Sequence, residues 1–327
     1  MLARVEAASV PAGSLPRTRN KGDRIGDGLL YGLTALAAIL GVLVIAAIVW
    51  RVADGAWPAI KVYKLAFLWH NQWNAVTSKF GARDFIIGTV VTSFGAMLLS
   101  APLSIAIGLF LSELAPPSVR ALVGTLIDML AAVPSVVIGL WGIYVLAPFD
   151  AQHVQPFLGS FLGWIPIFAH GGDQAESTVF SAIVVVAIMI IPITSSICRE
   201  LFIGVPAELE EGAIGLGATR WEMVKTVIVP SVRGGIVAAV ILGLGRALGE
   251  AIAVTQVIGN FIPLKLTIFA PGDTLASRIA NQYQGAPSNL AVASLIYLAL
   301  ILLAITFITN FLAQRVVKRF ERRSARA

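Results

Sequence analysis

Apolar runs with few or no charged residues recur along the chain and are separated by stretches that carry most of the charge. Each run reaches about 20 residues, the length that a helix needs to cross the hydrocarbon core of a bilayer. A span in lipid must satisfy its own backbone hydrogen bonds, so each run is predicted to be a helix. The six predicted spans are Leu29–Trp50, Phe85–Leu111, Val119–Ala147, Val179–Cys198, Gly234–Ile258 and Leu290–Phe311.

Composition agrees with this pattern and excludes an ordinary soluble domain. Hydrophobic residues make up 57% of the 327 residues and charged residues only 13%, whereas about a quarter of a soluble domain is charged. The chain is therefore predicted to be an all-α integral membrane protein with six transmembrane helices. Its net charge of +6 is concentrated in basic tails at both ends, which indicates membrane orientation rather than nucleic-acid binding.

Four regions follow from the spacing of the runs. Residues 1–28 form a basic tail, residues 29–84 the first helix and an outer segment, residues 85–313 the transmembrane core, and residues 314–327 a second basic tail. The first run is too long for a signal peptide and no A-x-A site follows it, so it is predicted to be a retained span. The outer segment Trp57–Trp73 either lies along the membrane surface or folds as a packed loop.

Cysteine and histidine usage gives no sign of an enzyme or a metal site. Cys198 is the only cysteine, so no internal disulfide can form. His70, His153 and His170 lack the spacing of metal ligands, and neither paired carboxylates nor a nucleophile–base motif is present. The chain is therefore predicted to be non-catalytic and to bind no cofactor or metal itself.

The largest inner loop, residues 199–231, has the signals of two short helices around a glycine turn. Pro206 suits a first helical turn, and glycines at 215 and 217 end that helix. Thr219 and Glu222 make a capping box for a second helix, which presents Trp221 and Met223 unless something covers them. Helix signals alone fit either a partner-binding loop or a plain connector.

The spacing in this loop resembles the EAA loop of ABC importer permeases, E-A-A-x3-G-x9-I-x-L-P. Glu211-Gly212-Ala213 is followed after three residues by Gly217 and after nine more by Val227-Ile228-Val229-Pro230. In that family the loop forms a coupling helix that seats in a groove of the ATPase subunit. The resemblance implies an ATPase-coupling surface made of Glu210, Glu211, Gly212, Ala213, Gly217, Trp221 and Pro230.

The chain lacks a nucleotide-binding loop of its own. No Gly-Lys dipeptide occurs, so the phosphate-binding motif G-x-x-x-x-G-K-[ST] is absent. If ATP drives transport, a separate subunit is expected to bind ATP and Mg²⁺.

Further stretches resemble the C-type permease subunit of bacterial phosphate-specific transport (Pst) systems, which have the type I ABC importer fold. The resemblance implies a homologous A-type permease subunit, two ATPase subunits, a phosphate-binding protein on the outer side, phosphate as substrate and a bacterial cell membrane. The stretches are Trp73–Ser93, Pro102–Pro116, Ile127–Gly142 and Gly245–Val254.

Arg246 and Glu250 are full charges near the middle of the predicted fifth span, one helical turn apart on the same face. One interpretation is a structural ion pair. The other is an anion site, because arginine offers a planar fork of donors that matches phosphate oxygens in pairs. The Pst resemblance favours the second, since the matching Arg and Glu there are associated with phosphate passage.

Asp128 in span three is predicted to be a bundle-facing, hydrogen-bonded carboxylate.

Other functions remain open at this point. A permease for another oxyanion, such as sulfate or molybdate, has the same architecture. A secondary transporter or channel often shows two related halves, and no convincing internal repeat is present.

The distribution of Lys and Arg generates a topology prediction. With the N-terminus inside, 16 lie on inner segments and seven on outer ones, so both termini are predicted to be cytoplasmic. Reporter fusions after Ala175 and Gly285 should read outside, and fusions after Ala218 and Ala327 inside. An outside reading at Ala218 would contradict the coupling role, because the loop would face away from ATP.

Overall fold

The structure, a computed structural model, describes residues 21–169 and 175–324. This part of the chain is mostly helical, and two short strands, β1 (Trp73–Asn74) and β2 (Lys79–Phe80), form an antiparallel hairpin. The helices are α1 (Lys21–Tyr63), α2 (Arg83–Leu109), α3 (Pro117–Ala132), α4 (Ser135–Trp141), α5 (Ala147–Phe149), α6 (Gln155–Leu162), α7 (Val179–Ile203), α8 (Ala207–Gly215), α9 (Arg220–Met223), α10 (Val229–Gly249), α11 (Ile252–Val257), α12 (Leu275–Gln282) and α13 (Asn289–Ser324).

Six helical stretches in the described residues are long and apolar enough to cross a membrane, which confirms the predicted number. Turns of π-helix extend α2 and connect α4 to α6 and α9 to α10. Three of the six stretches are therefore longer than the α-helices that they contain. The six stretches are Gly26–Leu68, Arg83–Leu114, Ser135–Leu162, Val179–Ile203, Arg220–Gly249 and Asn289–Lys318.

The third stretch begins later than the predicted Val119–Ala147. Val133 and Pro134 take extended backbone, with ψ of 128° and 139°, and separate α3 from α4. A proline disfavours helical backbone in the residue before it, which explains the break. The spanning stretch is therefore Ser135–Leu162, and α3 is a separate helix.

Asp128 lies on α3 and its predicted environment is wrong. The side chain is exposed, and it has neither a hydrogen bond nor an ion pair with the residues that the structure describes. Because the break at Pro134 removes α3 from the third spanning stretch, Asp128 does not face the interior of the bundle.

The fifth stretch also differs from the predicted Gly234–Ile258. The helix starts at Arg220 in the loop of residues 199–231 and continues through a π turn, Val224–Ile228, into α10. It ends at Gly249, since Glu250 takes extended backbone with ψ of 117°, and the short α11 follows. The second predicted loop helix and the fifth span are thus one helix.

Helix α7 lies at the centre of the molecule. Of its spanning window 61% is buried, against at most 39% for the other five stretches. Val185 and Ile190 of α7 share one core cluster with Ala96 of α2, Ile138 of α4 and Val257 of α11. A helix that is apolar on every side is expected in such a central position.

The described residues divide into two units, the first of residues 21–51 and the second starting at Val52. In this first unit the large apolar side chains between Leu29 and Trp50 are exposed, and none of the spanning window is buried by protein. An apolar helix without protein cover is suited to contact with lipid chains, where its backbone is satisfied internally.

The segment between the first two spans belongs to the second unit and packs against α12 and α13. Phe67 is fully buried and stacks on Tyr297 of α13, with ring centroids 4.5 Å apart. Trp73 on β1 donates a hydrogen bond from its indole nitrogen to Gln282 of α12 at 2.7 Å. These contacts favour the packed loop of the two alternatives, although Trp69 remains exposed.

A buried ion pair lies where α12 packs against the start of α2. The Arg278 guanidinium lies 2.6 Å from the Asp273 carboxylate, and the two side chains are only 6% and 1% exposed. Arg278 also lies 4.9 Å from the ring centre of Phe85 on α2. Gly88 permits this approach, because a β-carbon there would overlap the carbonyl oxygen of Asp273.

Replacing one partner of this ion pair should reduce the stability of the protein more than replacing both partners. Arg278→Met leaves the Asp273 carboxylate buried without its cation, which is expected to cost about 3–5 kcal/mol of stability. The double variant Asp273→Asn with Arg278→Met should recover most of that loss. Thermal unfolding of the purified protein in detergent measures both. A double variant that unfolds no later than the single one would contradict the prediction.

Candidate functional site

The loop of residues 199–231 has the local structure that its sequence predicts. Helix α8 ends at Gly215, and Gly217 has φ of +87°, a left-handed conformation that glycine adopts without strain. The Thr219 backbone N–H donates to the Glu222 carboxylate at 2.8 Å, and the Glu222 N–H donates to the Thr219 hydroxyl at 3.3 Å. This capping box begins α9 and so fixes the angle at which the loop enters the fifth span.

One side of the loop is anchored to the transmembrane core. Ala213 of α8 packs against a cluster that includes Phe202 and Ile228. Met223 belongs to the same cluster and is buried, so the prediction that it is presented on the surface is wrong. Residues two positions apart on a helix lie on different faces, and Trp221, two positions earlier, is 69% exposed.

The loop also presents exposed apolar side chains to the surroundings. We call these residues the loop patch, and no described residue of the chain covers them. Contiguous exposed apolar surface commonly marks a site of protein–protein interaction. The loop patch consists of Leu209, Ile214, Leu216 and Trp221.

Two predicted acidic residues border the loop patch. Glu211 is exposed, whereas Glu210 is half-buried. Partial burial raises the pKa of Glu210, and the negative charge of Glu113 at the end of the second span raises it further. A cation brought by a partner would relieve both effects and lower the pKa again.

The remaining loop positions of the predicted surface have simple structural roles. Pro230 is the second residue of α10, directly after the π turn Val224–Ile228. A proline cannot donate to the preceding turn, and a locally altered hydrogen-bond pattern accommodates it. Gly212 has open space at its β-carbon position, so the alanine of the EAA motif would fit there.

Arg246 lies in the last turn of α10, and not near the middle of a longer helix as predicted. A cation is favoured there by the partial negative charge at a helix C-terminus. Its neighbours Ala247 and Leu248 are buried, whereas the Arg246 side chain is exposed on the surface of the chain.

Glu250 is the first residue after α10, and its half-buried side chain turns towards the next helix. One carboxylate oxygen accepts a hydrogen bond from the Ala253 N–H at 3.4 Å, in the first turn of α11. An acidic side chain is favoured at a helix N-terminus, as a cation is at a C-terminus. We call residues 249–251 the helix break.

The predicted pairing of the two charges is wrong. A separation of four residues gives a shared face only within one continuous helix, and the helix break interrupts it. In the described part of the chain, neither Arg246 nor Glu250 forms an ion pair, with the other or with a third residue. The structural ion-pair interpretation therefore loses its geometric basis, and Arg246 is an uncompensated cation at the chain surface.

Sequence reasoning missed the helix break and one polar neighbour of Arg246. Gly249 is a signal for the break, since glycine commonly ends helices. Asn310 of α13 has its amide oxygen 3.7 Å from the β-carbon position of Gly245. An amide within an otherwise apolar span is a signal that could have identified it.

Among residues 21–169 and 175–324, no group of three His, Cys, Asp or Glu could hold a metal ion.

A family model described as the binding-protein-dependent transport system inner membrane component matches residues 104–322. The match includes the loop of residues 199–231, the helix break and most of α13.

Curated relatives cover almost the whole chain. The phosphate transport system permease protein PstC of Pasteurella multocida is 41% identical over 295 residues, which is 90% of this chain and 92% of the relative. PstC of Mesorhizobium japonicum is 38% identical over 321 residues, 95% of this chain and 98% of the relative. PstC 2 of Mycobacterium tuberculosis is 35% identical over 310 residues, 92% and 93% of the two chains.

Solved structures of ABC transporters share the fold. A bacterial alginate ABC transporter, solved with an alginate pentasaccharide-bound periplasmic protein, superposes with a TM-score of 0.53 at 21% identity, covering 92% of this chain and 99% of that one. The MetNI methionine ABC transporter in an inward-facing conformation gives 0.53 at 16% identity, covering 72% and 94%. These similarities confirm the predicted type I ABC importer permease fold.

The geometry of the loop generates a prediction with a matched control. Gly217→Ala forces a side chain into the left-handed region, which costs about 1–2 kcal/mol. Gly212→Ala adds the same atom at a position with open space. Amide hydrogen exchange in α8 should therefore become about tenfold faster in Gly217→Ala and stay unchanged in Gly212→Ala. Equal exchange rates in the two variants would show that the turn does not depend on its glycine.

Proposed function

The chain belongs to the family of binding-protein-dependent transport system inner membrane components, with the PstC permeases of phosphate transport systems, and on that premise we propose that it carries inorganic phosphate. It is the permease subunit of an ABC importer, an integral membrane subunit rather than an enzyme. In the proposed importer it forms half of the phosphate pathway across the cell membrane, and a homologous permease forms the other half.

The exposed, unpaired position of Arg246 is the observation that carries the proposal. On insertion scales an arginine within a span costs up to about 2.5–3.5 kcal/mol, the value at the span centre, so intramembrane arginines face a watery cavity or another polypeptide. The guanidinium remains charged at every relevant pH and offers paired donors to phosphate oxygens. A pathway between two permease subunits provides both the water and the anion.

Glu250 supports the same interpretation from the other side of the helix break. Within the described residues, its carboxylate accepts a single long hydrogen bond, from the Ala253 N–H, so acceptor capacity remains. A protonated phosphate oxygen could donate to it, whereas an oxyanion without a proton would be repelled. Glu250 therefore favours hydrogen phosphate species over sulfate at the same place.

The loop patch is proposed to dock a separate ATPase subunit that binds ATP and Mg²⁺. Its exposed apolar side chains are flanked by Glu211 and by Glu210, whose charge is disfavoured without a cationic neighbour. The helix Arg220–Gly249 leads directly from this surface to Arg246. Two copies of the ATPase are expected, one for each permease subunit, with a phosphate-binding protein delivering substrate from the outer side.

Substitution at Arg246 separates the effect of its positive charge from the effect of its paired hydrogen-bond donors. Arg246→Lys keeps the charge but loses the paired donors, and loss of one hydrogen bond to an anion should lower phosphate uptake about tenfold. The matched control Arg51→Lys makes the same change at an exposed residue far along the chain and should transport normally. Uptake of labelled phosphate by vesicles holding the complete complex and ATP is the measurement, with labelled sulfate as a second substrate.

The double variant Arg246→Gln with Glu250→Gln completes the test. It should assemble with the ATPase and transport no phosphate, because both proposed substrate contacts are gone. Uptake near the wild-type rate in this variant would contradict the anion-site proposal and assign both residues a structural role.

A further inference from the structure

A groove of about 370 Å³ lies between α10 and α13, one turn below Arg246 along α10. Its two walls differ in chemistry. The α10 wall is apolar, whereas the α13 wall carries two amides and an ammonium group among apolar neighbours. The lining residues are Ala238, Ile241 and Leu242 of α10, and Asn310, Gln314, Val317 and Lys318 of α13.

The polar residues of the groove form one line. Asn310, Gln314 and Lys318 are spaced four residues apart, so they occupy one face of α13. At 1.5 Å per residue the line extends for about 12 Å along the helix. Its upper end, Asn310, lies beside Gly245, the residue before Arg246. Its lower end, Lys318, lies towards the C-terminus, which the Lys and Arg distribution assigns to the cytoplasm.

Asn310 has no protein partner that explains its presence. Its side chain is half-buried, and it makes no hydrogen bond to any residue that the structure describes. An unpaired amide out of water costs free energy unless a water molecule or ligand satisfies it. An apolar side chain would pack between α10 and α13 without that cost.

We propose that this groove is the inner part of the anion pathway, which passes phosphate from Arg246 to the cytoplasm. The inference rests on the proposed function and extends it to residues on α13. The amide N–H groups of Asn310 and Gln314 are neutral donors to phosphate oxygens, and Lys318 supplies a terminal positive charge. Conduction needs contacts that are favourable enough to admit an ion and weak enough to release it, and neutral amides meet both conditions.

Phosphate could also reach this groove as the headgroup of an anionic lipid. The headgroup layer on each side of the bilayer is about 5–7 Å thick, so a lipid phosphate can contact Lys318 at the membrane surface. Asn310 lies about 12 Å deeper, beyond the reach of a headgroup. A requirement for the Asn310 amide therefore distinguishes a free anion from a lipid.

The test uses the complex with its partner subunits in vesicles, made with and without anionic phosphatidylglycerol. Initial rates of ATP-driven uptake of labelled phosphate are compared for the wild type, Asn310→Leu, Asn310→Gln and Thr309→Val. Asn310→Leu should lower uptake about tenfold in both lipid compositions, the effect of losing one hydrogen bond to an anion. Asn310→Gln retains the amide and should keep most of the activity. Thr309→Val is the matched control on a neighbouring face of α13 and should match the wild type.

Three results would overturn the inference. Wild-type uptake by Asn310→Leu would remove the groove from the pathway and leave the proposed function intact. A defect that appears only in vesicles with phosphatidylglycerol would assign the groove to a lipid headgroup. A wild-type complex that imports no phosphate would overturn the proposed function and this inference with it.

A folding defect is recognised separately. If Asn310→Leu does not co-purify with its partners, Gln314→Leu at an exposed position of the same line takes its place. It should assemble normally and lower uptake, and normal uptake by an assembled Gln314→Leu complex would equally overturn the inference.

Discussion

The continuity of one helix, Arg220–Gly249, determines how the two candidate sites relate to each other. Thirty helical residues extend about 45 Å, from the capping box at Thr219 to the helix break. Pro230 would be expected to weaken such a helix, but the π turn before it keeps the stretch continuous. A force applied at the loop patch is therefore carried to Arg246 along a hydrogen-bonded element without a hinge.

At the helix break, the ends of α10 and α11 explain why two opposite charges stand close in sequence without pairing. Arg246 is favoured at the C-terminus of α10 and Glu250 at the N-terminus of α11. The Glu250 N–H still donates to the Ala247 carbonyl at 3.4 Å, so backbone groups at the break are satisfied locally. Each charge is stabilised by the helix end at which it lies, and both remain available to a substrate.

Local signals in the sequence predicted the parts of the molecule that depend on neighbouring residues. The spanning runs, the left-handed Gly217 and the capping box at Thr219 all follow from short-range rules. The boundary at Pro134 and the break at Glu250 were missed because apolar runs continue through both positions and hydropathy does not record backbone conformation. The contact of Arg278 with Phe85 and the contact of Asn310 with α10 join distant parts of the chain, and no periodicity in the sequence encodes them.

The distribution of buried and exposed surface explains why one chain forms only part of a transporter. Helix α7 is the most buried of the six spanning stretches, and Arg278 of the buried ion pair lies over the ring of Phe85 at the start of α2. The chemically distinctive groups lie elsewhere: Arg246, the groove between α10 and α13, and the loop patch are all open on the surface. In lipid, an exposed guanidinium and an unpaired amide would be unfavourable. In the proposed importer, a second subunit that encloses water against these groups removes that cost, so the contact that completes the proposed pathway also stabilises this chain.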